Sequence, residues 1–179
     1  MNARKSAALA VALGLAAASV IALQVRAGGD KMSFPEGFEK GVMYFAFDHA
    51  NSKTYREIFI GNAAIEAAKK GQPVPSGTVN VTKIEKVKLG ADGNPEKDAN
   101  GRYIRTGETS GYAVMEKRTG WGTEYPPEKR NGEWEYQVFT AEKKVNDKAN
   151  LGACFECHKP HAETDFLFTL DKIKTASAK

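Results

Sequence analysis

One five-residue pattern near the C-terminus constrains this chain more than any other feature. Cys154 and Cys157 are separated by two residues, and His158 follows directly. These are the only two cysteines in the chain, so a framework of several disulfides cannot hold the fold together. The core must therefore come from packing or from a bound group.

The pattern Cys-x-x-Cys-His is typical of covalent haem c attachment. Two thiols on one turn of backbone reach the two vinyl groups of a single porphyrin, and the next histidine is held beneath the iron as an axial ligand. The sequence therefore predicts one haem c per chain, attached through Cys154 and Cys157, with His158 bound to the iron. Two alternatives are a zinc site completed by His158 and His161 and a redox dithiol that uses the cysteines alone.

The N-terminus has the composition of an export signal. Residues 1–6 are short and basic, residues 7–25 carry no charge, and Val25 and Ala27 occupy the −3 and −1 positions of a cleavage site. We expect residues 1–27 to be a signal peptide or, since the apolar run is long, an uncleaved membrane anchor through residues 7–25. Residues 28–179 would then form one periplasmic domain. Export also favours haem c, because that haem is attached outside the cytoplasmic membrane.

The charge of the chain gives no reason to expect a nucleic-acid partner. The formal net charge is +4, but three of the 26 basic residues lie in residues 1–27, which leaves 23 basic against 22 acidic side chains. Nucleic-acid-binding domains normally concentrate basic residues on one face. The near-neutral balance also indicates no particular charged surface for an electron-transfer partner.

Hydrophobic patterning predicts an α+β fold: a mainly antiparallel β-sheet with a few flanking helices and a C-terminal haem-attachment segment. A helix is expected over residues 63–70, capped by Asn62 and ended by Gly71. In residues 78–89 the apolar alternation changes face at Ile84, which predicts a bulge near Thr82 and Lys83. The expected strands cover residues 42–47, 55–60, 78–89, 103–105, 111–115 and 134–139.

No residue stands out as a ligand for the second axial position of the iron. Met43 and Met115 lie inside apolar strand candidates, where a core role is expected. His161 follows His158 too closely to reach the far side of a haem, and His49 precedes a polar turn. The sequence therefore favours an open iron that binds small molecules, whereas closure by Met43 or Met115 would define an electron-transfer domain.

The residues around the attachment motif resemble the cytochrome P-460 family, which includes the related cytochromes called c-prime-beta. The resemblance rests on residues 154–161 and 165–169, and residues 56–60, 77–81 and 132–139 agree with it. It implies a mainly antiparallel sheet with a few helices, often paired as a homodimer. It also implies a five-coordinate haem with an open distal side.

Two functions divide that family, and a lysine distinguishes them. Some members oxidise hydroxylamine with a haem cross-linked to a lysine, and others bind nitric oxide or carbon monoxide in an aromatic-capped pocket. A gapless match places Thr82 at the cross-link position, where it cannot supply the nitrogen, and Lys83 would turn inward only with the predicted bulge. The resemblance therefore favours a gas-binding or electron-carrying protein. The alternative is a hydroxylamine-oxidising enzyme that uses Lys83.

Three further residues are candidates for the distal side. Arg56 aligns with a family arginine on the haem side, where it would donate hydrogen bonds to a bound nitrogen or oxygen species or to a haem propionate. An ordinary surface position on a strand is the alternative for Arg56. Phe45 and Phe47 share one face of their strand, and they would either cap the distal pocket or belong to the core.

Overall fold

The computed structural model of the chain describes residues 31–178. The predicted signal or anchor segment, residues 1–27, lies outside the described residues. In the described part, no helix combines the length and the apolar character that crossing a membrane requires.

Five strands form one antiparallel sheet in which each strand pairs with the next along the chain. This confirms the predicted α+β fold with a mainly antiparallel sheet. The predicted strand at residues 111–115 lies inside one longer strand, β4. Of the predicted strand at residues 103–105 only Arg105 belongs to β4, and Tyr103 forms an isolated bridge with Lys97. The strands are β1 (Val42–His49), β2 (Thr54–Ile60), β3 (Val79–Val87), β4 (Arg105–Lys117) and β5 (Trp134–Thr140).

Three α-helices accompany the sheet in residues 31–178. They are α1 (Asn62–Lys69), α2 (Leu151–His158) and α3 (Leu170–Thr175), with 3-10 helices at Phe38–Lys40, Pro127–Lys129 and Lys159–Thr164. The predicted cap of α1 is wrong by one residue: Asn62 is the first helical residue, and Gly61 holds the capping position without a side-chain bond. Because Ile65 and Ala68 are buried on one side of α1, the helix packs its apolar stripe against the domain.

Both faces of the sheet are covered, so the domain has two hydrophobic clusters. On one face the helices pack over a cluster that includes Trp134, Tyr136 and Phe155. On the other face the segment before β1 packs over Val81, Tyr112 and Phe139. We call the first the cavity face and the second the opposite face.

The predicted bulge at Thr82 and Lys83 is wrong. Strand β3 pairs with β2 without interruption from Asn80 to Lys86. Two irregularities lie in β4 instead. Gly111 faces Ile84 and Thr109 faces Glu85, so Ser110 is an extra residue, and a second register shift follows between Glu85, opposite Thr109, and Val87, opposite Arg105. Apolar residues occur on both sides of β3 because both faces of the sheet are covered, and the change of face needs no bulge.

Candidate haem-attachment site

A cavity of about 620 Å³ lies between the cavity face and the C-terminal segment of the chain. Its volume falls in the range of roughly 300–1,000 Å³ typical of cofactor and ligand sites. The sheet contributes mostly apolar side chains, and the C-terminal segment contributes the attachment motif. The lining includes Tyr44, Phe45, Phe47, His49, Arg56, Ile58, Asn80, Thr82, Ala113, Met115, Tyr136, Cys154, Cys157, His158, Leu167, Phe168 and Thr169.

The short helix α2 presents the motif to the cavity. Asn150 caps it, because its side-chain oxygen accepts the backbone N–H of Ala153 at 3.4 Å. Positions three residues apart share one side of a helix, and both Cys154 and Cys157 line the cavity. Phe155 is buried and packs against Tyr125 and Tyr136 on the core side.

The ring of His158 is oriented by a single hydrogen bond. Its Nδ1 lies 2.7 Å from the backbone carbonyl oxygen of Phe166. A carbonyl can only accept, so Nδ1 carries the proton and the Nε2 lone pair is left available for a metal. Burial lowers the pKa of His158 although the Phe166 carbonyl opposes that shift. The neutral imidazole that results is the form that binds iron.

The two alternatives to haem gain no support from this arrangement. Burial, followed by the neighbouring Cys157, raises the pKa of Cys154, whereas reactive dithiol cysteines have a lowered pKa. Across residues 31–178, no group of three or more His, Cys, Asp and Glu side chains is assembled as for a metal ion. A zinc site at Cys154, Cys157, His158 and His161 is therefore not formed in this structure.

The predicted distal residues do meet at the cavity. Phe45 and Phe47 stack with ring centroids 5.3 Å apart, and Arg56 lies opposite Phe47 on the neighbouring strand. All three line the cavity. The Nε atom of Arg56 is buried without a hydrogen-bond partner, its Nη2 makes only a 3.4 Å bond to Ser52, and burial lowers the pKa of Arg56. An unsatisfied guanidinium donor at this place suits an acceptor bound in the cavity.

His49 precedes the turn at residues 50–53, as the sequence predicts, and it also lines the cavity. Its Nδ1 accepts the backbone N–H of Ser52 at 3.2 Å and lies 2.7 Å from the Ser52 hydroxyl. In the neutral ring the proton is therefore on Nε2. Burial and then the charge of Arg56 lower the pKa of His49.

Thr82 and Lys83 lie on different faces of the sheet. Thr82 lines the cavity, between Ile58 and Ala113 on the adjacent strands. Lys83 is on the opposite face, where its Nζ lies 2.5 Å from Glu85 and 3.6 Å from Glu57. Burial lowers the pKa of Lys83, but the hydrogen bond and charge of Glu85 outweigh it, and the pKa is raised overall.

The two methionines considered as iron ligands are not placed across from His158. Met43 is 45% exposed and is absent from the cavity lining. Met115 lines the cavity but pairs with Tyr136 across the sheet, and the Tyr136 ring lies 5.0 Å from the His158 ring. Met115 is therefore at the His158 side of the cavity.

A polar cluster that the sequence does not predict lies at the His158 side of the cavity. The Tyr44 hydroxyl is bonded to Thr169 Oγ1 at 2.7 Å and accepts Nδ2 of Asn80 at 3.1 Å. Burial raises the pKa of Tyr44, so the hydroxyl stays neutral. The Tyr44 and Thr169 positions are 125 residues apart in the chain, and no local pattern signals such a contact.

Together, the apolar cavity, the two cysteines on its wall, the oriented imidazole and the unpaired Arg56 donor fit a haem held by covalent attachment. These are the features of a haem-binding cytochrome. The family model for cytochrome P460 matches residues 35–169, and the chain belongs to the cytochrome P460 family. A search of curated proteins finds no significant match to the chain.

Proposed function

We propose that the protein is an exported c-type cytochrome with one haem c. The haem is attached through Cys154 and Cys157, and the iron is bound by His158. Small diatomic or nitrogen-oxide ligands such as nitric oxide bind on the other side of the iron, and the protein passes electrons. One observation carries this proposal: the motif faces an apolar cavity whose far side offers aromatic rings and a hydrogen-bond donor.

Attachment is chemically balanced and needs no oxidant. Each cysteine thiol adds across one vinyl group, so that a carbon–sulfur bond forms while the thiol hydrogen goes to the other vinyl carbon. The haem supplies the redox couple and the ligand-binding iron. Phe45 and Phe47 exclude water from the far side, and the Arg56 guanidinium donates a hydrogen bond to a bound ligand or to a propionate.

The cross-linked, hydroxylamine-oxidising alternative has less support. Lys83 lies on the opposite face in ion pairs with Glu57 and Glu85. Among the described residues, the cavity lining includes no lysine and no carboxylate. Oxidation of hydroxylamine releases protons, and a positioned base normally assists such a step. In this alternative His49, which lines the cavity, would be the base.

The proposal is tested by optical spectra of the purified protein, reduced with dithionite, before and after carbon monoxide is added. We expect a high-spin c-type spectrum that shifts with carbon monoxide. A broad, strongly red-shifted Soret band would instead indicate a modified haem and the enzyme alternative. A sharp low-spin spectrum indifferent to carbon monoxide would indicate a closed iron and electron transfer only.

Covalent attachment is tested separately by haem staining after denaturing electrophoresis. The double variant Cys154→Ala, Cys157→Ala should lose the stained band, because no thiol remains to bond the porphyrin. The variant His158→Gln retains both thiols and serves as the matched control for the covalent bonds. A stained band in the double variant would contradict the assignment of the attachment residues.

Three further expectations belong to this proposal. We expect a homodimer, a separate electron-transfer partner, and a periplasmic location with residues 1–27 removed. Mass spectrometry of the exported protein identifies the first residue, and sedimentation equilibrium gives the number of chains per particle.

A further inference from the structure

A partly buried ion pair lies one residue away from the carbonyl that orients His158. Lys117, at the end of β4, is 9% exposed, and its Nζ lies 2.7 Å from Asp165 Oδ2. The same ammonium donates to the Val74 carbonyl at 3.1 Å. Trp134, fully buried at the start of β5, directs its indole N–H at Asp165 Oδ1 from 3.4 Å. Two strands therefore hold one carboxylate.

The backbone next to this pair has a conformation that needs support. Asp165 and Phe166 both have positive φ, at 54° and 59°. Two consecutive non-glycine residues in the left-handed region are unfavourable and persist only where the surroundings impose them. The Phe166 ring packs against Gly132, where an added Cβ would lie 3.0 Å from the ring. The Phe166 amide also donates to the His161 carbonyl at 2.7 Å.

This conformation determines where the Phe166 carbonyl points. Its oxygen accepts the Nδ1 proton of His158 at 2.7 Å. Hydrogen bonds to the outer nitrogen of a ligating histidine fix the ring and raise its basicity toward the metal. A distortion at residue 165 would therefore change the hydrogen bond at residue 158 without touching the cavity, since neither Lys117 nor Asp165 lines it.

We propose that Lys117 and Asp165 are positioning residues for the iron ligand. Their ion pair holds residues 165 and 166 in the conformation that presents the Phe166 carbonyl to His158, and thereby sets the strength of the iron–histidine bond. The inference rests on the haem attachment proposed above. A stronger bond from a more basic imidazole favours ferric over ferrous iron, so the ion pair also lowers the reduction potential.

The test uses the haem-loaded protein and the variants Asp165→Asn and Lys117→Met. In the ferrous state, resonance Raman spectroscopy gives the iron–histidine stretching frequency, and an equilibrium titration gives the potential. We expect both variants to lower the frequency and raise the potential. The double variant should change neither much further, because both residues act through one backbone segment.

The matched control is Lys143→Met, which removes an ion pair of the same 2.7 Å length, to Glu36, on the exposed surface. It should leave both readouts at the wild-type values. If Asp165→Asn does not fold, Trp134→Phe removes the other contact to the carboxylate while it keeps most of the ring volume.

The two possible failures are distinguishable. Wild-type frequency and potential in folded, haem-loaded variants would overturn the positioning role and leave the proposed function intact. Absence of covalent haem from the wild-type protein would overturn the proposed function itself.

Discussion

At the scale of single residues, the face of the sheet on which a side chain lies decides its chemistry. Thr82 and Lys83 are neighbours in the chain, yet one lines the cavity and the other is ion-paired on the opposite face. Successive side chains in a strand alternate between faces. An amine at position 83 is therefore separated from the cavity by the thickness of the sheet.

Lys83→Met should leave the Soret band of the haem-loaded protein unchanged. It should lower the free energy of unfolding by about 1–2 kcal/mol, because the mostly buried carboxylate of Glu85 loses its closest cation. Denaturant unfolding measures that loss. The matched control is Lys86→Met, which breaks an exposed pair with Glu108 and should lower the free energy of unfolding much less than Lys83→Met does. A shifted Soret band in Lys83→Met would restore the cross-link alternative.

Arg56→Gln should raise the C–O stretching frequency of the ferrous carbon monoxide complex. A cationic donor near the ligand oxygen draws electron density onto carbon monoxide and weakens the C–O bond, and glutamine lacks the charge. Infrared spectroscopy of the complex measures the frequency. Arg102→Gln, which removes an exposed arginine paired with Asp48, is the control. An unchanged frequency in Arg56→Gln would mean that the guanidinium does not contact the bound ligand.

At the scale of the elements, the site is built on short segments, and contacts at the ends of these segments stabilise them. Helix α2 has only eight residues, and isolated helices of that length are unstable in water. It depends on its cap at Asn150 and on the packing of Phe155. The turn between β1 and β2 similarly depends on His49 and Ser52.

Asn150→Ala should lower the free energy of unfolding by about 1 kcal/mol, the usual effect of losing an N-cap. Asn150→Asp should restore most of it, because a carboxylate also accepts the Ala153 N–H and interacts favourably with the helix N-terminus. Denaturant unfolding of the haem-loaded protein measures both. Equal stabilities of wild type and Asn150→Ala would show that the cap contributes nothing.

His49 should make the folded protein less stable in acid. Its pKa is lowered in the folded state, so the unfolded chain binds more protons as the pH falls below about 6.5, the ordinary histidine value. The stabilising contribution is present above that value and is lost as the pH falls toward the folded-state pKa. Unfolding free energies at pH 7 and pH 5 should therefore differ less in His49→Gln than in wild type. Identical differences would contradict this effect.

At the scale of the whole molecule, the sheet separates the site from the hydrophobic cluster on the opposite face, which contributes to the stability of the fold and not to the cavity. Phe139 is 1% exposed and packs on the opposite face with Phe34 and Tyr112. The cavity, by contrast, is built from the cavity face and residues 153–169. Stability and spectrum should therefore respond to different substitutions.

Phe139→Leu should lower the free energy of unfolding by about 1 kcal/mol, less than the roughly 3–5 kcal/mol of a phenylalanine truncated to alanine. The spectrum of the folded, haem-loaded protein should stay at its wild-type position. Tyr136→Leu, on the cavity face beside His158, is the comparison that should shift it. A shifted spectrum in Phe139→Leu would mean that the two faces are coupled through the sheet.

The sequence is sufficient for the parts that depend on local periodicity and fails for those that depend on distant contacts. Phe45 and Phe47 fall on one face because strands alternate, and the structure brings both to the cavity. The extra residue Ser110 lies in β4 and cannot be predicted from the apolar pattern of β3. That pattern changes face only because both faces of the sheet are covered by apolar residues. The Lys117–Asp165 pair joins residues 48 positions apart. The positive φ of Phe166 has no glycine to signal it.

The order of the strands and the attachment motif along the chain has a consequence for how the site assembles. All five strands lie within residues 42–140, and the attachment motif begins at Cys154. Synthesis runs from the N-terminus, and neighbouring strands pair without long loop closures. The aromatic half of the pocket can thus be complete before Cys154 and Cys157 emerge. In the proposed attachment, the porphyrin would therefore meet the two thiols last, on a short helix beside a sheet that has already formed.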